Sequence, residues 1–191
     1  MASVHKFTLG GTADTALGVV LLEGFDEPVL PATRDRFVEI PGRQGRVNFD
    51  SDLGPREIVL PLGIIDATTP ETLATLSRAL SAVLLDQDGH PEDVSLVFTK
   101  EPLKTYTVRY SGHMPIERLI GSSYGEVQLP LIQADPFVYG ASDTDSDSIT
   151  AAYQEMSIEN DGDYRTPPTI TITNNGVGDV TGFTLVLRQI K

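Results

Sequence analysis

The sequence contains no cysteine and no tryptophan, and its basic residues are few: 14 Lys+Arg stand against 27 Asp+Glu in 191 residues. Without cysteine there is no disulfide framework and no thiolate site for zinc or an iron–sulfur cluster. A formal net charge of −13 repels phosphate unless the bases cluster, which argues against a nucleic-acid binder of the ordinary kind. Long apolar runs are missing as well. Ala16–Leu22 and Ile58–Ile65, the second broken by Pro61 and Gly63, fall far short of the roughly 20 residues a membrane helix needs. Residues 1–11 lack a basic segment followed by an apolar one, so no secretory signal is expected there. What is present, 40% hydrophobic residues, suffices for a packed core and excludes global disorder. The length allows one domain of common size and a small appendage.

Charge and composition divide the chain. Residues 141–163 hold seven acids and no base, and they are rich in Ser and Thr. Such a stretch reads as a solvated linker. The expected organisation is a domain over 1–140, an acidic linker over 141–165 and a short β segment over 166–191.

Most of the first part alternates apolar and polar residues, the period-2 pattern of strands with one covered face. Candidate strands are Val4–Leu9, Leu17–Leu22, Glu57–Leu62, Val94–Thr99, Thr105–Tyr110, Met114–Leu119 and Glu126–Ile132. Phe37–Ile40 and Arg46–Asp50 flank Pro41-Gly42-Arg43-Gln44-Gly45, which fits a hairpin loop with the second flank a half-buried strand. Pro130 argues for an edge or a bulge in the last strand. One helix is predicted. Leu73, Leu76, Leu80, Val83 and Leu84 fall on one face of a 3.6-residue period. Thr69 can cap it with Pro70 at the first helical position, or Thr68 can pair with Glu71 in a capping box. Asp88-Gly89 ends it. Near the C-terminus, Thr169–Thr173 and Gly182–Leu187 alternate about Asn174-Asn175-Gly176, a hairpin signal. The fold class is therefore mainly β (α+β), with one surface helix lying on a sheet and a short C-terminal β segment.

The search for chemistry is nearly empty. Gly121-Ser122-Ser123-Tyr124-Gly125 matches Gly-x-Ser-x-Gly, but a nucleophile elbow needs a helix after it and a histidine later in the chain. A strand follows here, and the last histidine is His113. A flexible turn explains it better than a hydrolase using Ser123. His5, His90 and His113 have no metal-ligand spacing. Asp143-x-Asp145-x-Asp147 starts like a calcium loop, yet Ser148 stands where glycine belongs and Gln154 where glutamate belongs. Gly176-x-Gly178 lacks the spacing and the helix of a dinucleotide fingerprint. No enzyme, metal or cofactor is expected.

Taken in order, four features resemble the N-terminal domain of the distal tail protein family of long-tailed bacteriophages, the siphophage tail-component proteins. They are the Pro41-Gly42-Arg43-Gln44-Gly45 hairpin; the strand Arg56-Glu57-Ile58-Val59-Leu60; the capped helix 70–85 leading to Leu96-Val97-Phe98 and Tyr106-Thr107-Val108-Arg109-Tyr110; and the closing Ala134-Asp135-Pro136-Phe137-Val138-Tyr139. The resemblance covers residues ~1–140, and it depends on the order of the motifs rather than on any one of them.

It implies a β-sandwich-like domain related to tail-tube subunits. Six copies would form a ring at the distal end of the tail tube, join the tube protein to the tail-tip hub protein, and let DNA pass without specific binding. Assembly would occur in the host cytoplasm, whose reducing conditions suit a cysteine-free chain, and the product would sit at the virion tail tip. No membrane is involved. Many members continue into a galectin-like β-sandwich; 26 residues from Thr166 onward are too few for one of usual size, so 166–191 is expected to be the start or a remnant of such a module. Expected interface residues are Pro41, Gly42, Arg43, Gly45, Asp135 and Pro136, with Arg43 a candidate for a salt bridge between subunits. The competing readings are a carbohydrate or host-surface binding module and a tail-tube subunit.

Overall fold

The computed structural model describes residues 6–25, 30–64, 69–118, 125–150, 154–160, 162–178, 182 and 184–186. The chain divides into two units, residues 1–143 and 144–191.

Among its described residues the first unit is mainly β with one helix. Eight strands form one antiparallel sheet: β1 (Phe7–Leu9), β2 (Thr12–Ala13), β3 (Val19–Leu21), β6 (Arg56–Ile64), β7 (Asp93–Phe98), β8 (Tyr106–Tyr110), β9 (Ile116–Arg118) and β10 (Gly125–Gln133). Their order is β2-β1-β7-β8-β10-β6-β3, with β9 also paired to β10. Two further strands, β4 (Thr33–Val38) and β5 (Val47–Leu53), pair only with each other.

This order forces the sheet to curl. β2 and β3 lie at opposite ends of it but are joined by residues 14–18 alone. In a flat sheet six interstrand spacings would set them roughly 29 Å apart. Six extended residues span at most about 22 Å, and Asp14–Gly18 is a compact turn. Asp14 fastens the closure. Its carboxylate is fully buried and accepts from the backbone N–H groups of Lys6 (2.9 Å) and Thr15 (2.7 Å). The Asp14 carbonyl accepts from Val19 N, and Lys6 Nζ reaches the Leu21 carbonyl at 3.1 Å. The start of β1 is thereby tied to the end of β3.

Alternation decides what lies inside. Ile58, Leu60, Leu62 and Ile64 of β6 are buried beside Val127, Leu129 and Leu131 of β10, with Leu60 directly opposite Leu129. Val94, Leu96, Phe98, Tyr106 and Val108 continue the same face across β7 and β8. Pro61 and Pro130 both sit within long strands, which normally costs a ladder bond. Here each turns its missing N–H away from the β6–β10 ladder. The Pro61 carbonyl accepts from Leu22 on the β3 side, and the Pro130 carbonyl accepts from Ser111 on the other flank. Pro130 lies in the gap between the stretch of β10 paired with β9 and the stretch paired with β8. The edge character expected of it is found in that gap.

The helix α1 (Pro70–Leu84) covers the core with Leu73, Leu76, Leu80 and Leu84. Of the two possible starts, Thr69 is the N-cap: its hydroxyl accepts from Thr72 N at 3.3 Å, with Pro70 just inside. Thr68 lies outside the described residues. The helix ends earlier than the expected Asp88-Gly89 stop: Leu85 is the C-cap in extended backbone, and Gly89, at φ +82°, belongs to the turn that follows, where its N–H donates to the Asp86 carbonyl. Thr69→Ala is expected to cost about 1 kcal/mol, read as a fall in Tm of about 2–4 °C. Bonds from its own backbone N–H and from Thr69 hold the Glu71 carboxyl below its ordinary 4.5. A lowered value stabilises the fold above the unfolded pKa, and that stability is lost as pH falls through the folded pKa. The difference in Tm between the parent and Glu71→Gln is therefore expected to be constant above about pH 5 and to close in acid.

The second unit has no helix or strand among its described residues. The strand expected at Thr169–Thr173 is absent; Phe183 and Leu187 of its expected partner lie outside the described residues. Asn174 instead closes a local turn, its Oδ1 accepting from Gly176 N and its Nδ2 donating to the Gly178 carbonyl. The physical reason is that two strands without a third or a covering layer are marginal in water.

Candidate interface: an exposed arm and a buried clasp

β4 and β5 form an arm inserted between β3 and β6. Its root is tight. Gly54 N donates to the Ala32 carbonyl, and a Cβ on Gly54 would stand 3.1 Å from that oxygen. Beyond the root, every side chain of β4 is exposed and only Val47 of β5 is half-buried. The sequence pattern predicts a covered face here, and the first unit does not cover it. Phe37 is 48% and Phe49 68% exposed, and Val38 and Ile40 are exposed too. The register slips between Arg36 and Phe37, so Phe49 occupies a bulge. Strand pairing begins four residues earlier than predicted on the first flank and ends three residues later on the second.

Polar side chains hold the ribbon. Arg36 pairs with Asp52, Arg46 Nε meets Glu39 Oε1 at 2.8 Å, and Ser51 Oγ donates to Asp35 at 2.6 Å. All are exposed, so each contributes little. Arg34 and Arg43 have no side-chain partner among the described residues. At the tip, Arg43 N donates to the Ile40 carbonyl at 3.1 Å. Gly42 and Gly45 adopt φ +83° and +84° with open space where a Cβ would stand, so backbone conformation alone requires glycine there.

Pro41, Gly42, Arg43 and Gly45 thus lie together at the arm tip. Asp135 and Pro136 lie elsewhere, in the turn after β10. There Asp135 accepts from Phe137 N (3.1 Å) and from the Tyr139 hydroxyl (2.6 Å). That bond raises the Tyr139 phenol above its ordinary 10.0. Gln133 Nε2 donates to the Phe137 carbonyl at 2.7 Å, and Arg56 Nη2 donates to the Pro136 carbonyl at 3.3 Å. Arg56 and Gln133 are cross-strand partners, 8% and 0% exposed, and the guanidinium lies 5.9 Å from the centre of the Tyr106 ring. Sequence reasoning missed this clasp. The signal was available: Arg56 shares parity with Ile58, Leu60 and Leu62, so a strand burying those buries Arg56 as well.

Residues 121–124 and His5 lie outside the described residues. His90 and His113 are exposed. Gln154 donates to Asp147 at 2.6 Å, so a donor stands where a calcium loop has its bidentate carboxylate. Among the described residues no group of three His, Cys, Asp or Glu is placed to hold a metal.

The family described as the phage tail protein RIFT-related domain matches residues 15–132, more than half of the chain and all of the arm. The chain belongs to that family. The resemblance read from the residues holds, and so does the mainly-β fold with a single helix. This phage tail protein is also similar to a solved structure, that of phage SPP1 Dit (gp 19.1), described as a paradigm of the hub adsorption apparatus in phages that infect Gram-positive bacteria. The TM-score is 0.60 at 21% identity, which shows a shared fold. The match covers 72% of this chain and 53% of the SPP1 protein, so the tail protein spans about half the length of that relative. No curated protein matches the chain.

Proposed function

We propose that this phage tail protein is a non-catalytic hub subunit, six copies of which form a ring at the distal end of the tail tube. The ring joins the tube protein to the tail-tip hub protein and leaves a lumen for DNA. The observation that carries this reading is the arm. A two-stranded ribbon with uncovered phenylalanines is unstable in isolation, and an oligomer supplies the missing cover. The likeness to a hub protein supports the position at the tail tip. The charge supports the lumen: six copies of a −13 chain carry −78, and an acidic wall offers DNA no phosphate pairs.

Light scattering on the eluting protein tests the reading. A closed ring of six 20.7 kDa chains has a mass of about 124 kDa. Replacing residues 37–49 by a two-residue turn is expected to give monomers. Long tubes would instead mark a tube subunit, and a monomeric parent chain would overturn the ring.

A further inference from the structure

We propose that the arm of one copy lies on the outer face of the β3–β6–β10 sheet of the next copy. This rests on the ring reading and names the surface that receives the arm. That face carries the residues of opposite parity to the core. β6 contributes Glu57, Val59 and Pro61, and β10 contributes Glu126, Gln128, Pro130 and Ile132. Register sets Val59 opposite Pro130 and Ile132 opposite Glu57. Val20 and Leu22 extend the strip over Gly63: a Cβ there would stand 2.8 Å from Leu22 Cδ2 and 3.2 Å from Val20 Cγ2. An apolar band thus crosses three strands, and Val59 at its middle is 46% exposed.

Charge matches the two surfaces. Glu57 and Glu126 are exposed on this face and have no side-chain partner among the described residues. Arg34 and Arg43 are the arm's unpartnered cations. Residues 33–53 contain four bases and four acids, net zero, so the remaining residues carry the whole −13. The arm therefore brings no net charge against an acidic neighbour. Dimensions match as well. Strands of six and seven residues make a ribbon about 20–23 Å long. The nine-residue β6–β10 pair offers about 30 Å, and sheets stack face to face at about 10 Å. Arm on face is a head-to-tail contact between unlike patches, the kind that closes into a ring.

Charge reversal tests the pairing. Variants R34E/R43E and E57R/E126R change exposed residues only, and circular dichroism verifies that each folds. Each is expected to lose the ring, by light scattering, at a concentration where the parent chain is fully assembled. The variant with all four changes restores opposite charges at every contact and is expected to regain it. Rings that persist in E57R/E126R, or a four-change variant that stays monomeric, overturn the proposal while the ring reading stands. A parent chain without rings overturns the ring reading itself.

Discussion

Leu60→Ala is expected to lower the stability of the first unit by about 2–5 kcal/mol, a large part of the 5–15 kcal/mol typical of a whole domain. Leu60 is fully buried at the centre of β6, opposite the equally buried Leu129. Its removal leaves a cavity in the most extensively paired part of the sheet, where neither long strand can collapse without breaking register with the other. The neighbouring change Val59→Ala provides the contrast. Val59 is one residue away on the outer face, and its loss is expected to cost about 0.5 kcal/mol or less in the free subunit. Urea unfolding of dilute protein, followed by circular dichroism, measures both. At a slope of about 1–3 kcal/mol/M, Leu60→Ala moves the midpoint by at least about 0.7 M and Val59→Ala by a few tenths. Equal shifts would mean that the two faces of β6 are not inside and outside.

Asp14→Ala is the second large effect, expected at about 3–5 kcal/mol. The carboxylate accepts from Lys6 N and Thr15 N while fully buried. Hydrogen bonds to a charged group contribute about 1.5–3 kcal/mol each, and donors left buried without an acceptor add a penalty. Asp14→Asn keeps one acceptor oxygen and is expected to fall between alanine and the parent. The loss is local to the seam, so amide exchange distinguishes it from general unfolding. Lys6, Thr15 and Val19 exchange faster in Asp14→Ala under conditions where the amides of β6 and β10 remain protected. A loss below about 1 kcal/mol would mean that the curl is held by the core alone.

The start and buried face of the helix were legible in the sequence because two independent signals agree there, a 3.6-residue stripe and a Thr-Pro start; its end was not, because Asp88-Gly89 reports the turn after it. β6 and β10 were legible through alternation over Glu57–Leu62 and Glu126–Ile132, shorter than the nine residues each strand spans, and Pro130 marked the gap in the pairing of β10. The arm was legible as a hairpin but not as an arm. Alternation such as Val47-Asn48-Phe49 states that a face is to be covered, and it does not state which chain covers it. Arg56 and Gln133 were missed for the opposite reason. Polar residues on a core-facing parity are easily read as strand ends, and only the turn through Pro136 and Phe137 shows what they bind. The C-terminal hairpin was over-read. Asn-Gly reports a local turn, but a ladder needs a third surface that nothing within residues 166–191 supplies.

The strand order also sets a timetable. The arm pairs Thr33 with Leu53, a separation of only 20 residues, whereas β1 must wait for Phe98 and β6 for Gln133. Local pairings close quickly and distant ones slowly. During synthesis at about 5–20 residues per second, the 80 residues between Leu53 and Gln133 take several seconds. For that interval both strands of the arm and its two phenylalanines have been made, while the β6–β10 ladder at the centre of the larger sheet has not formed. The surface most in need of a partner is thus made before the body that gives that partner its geometry.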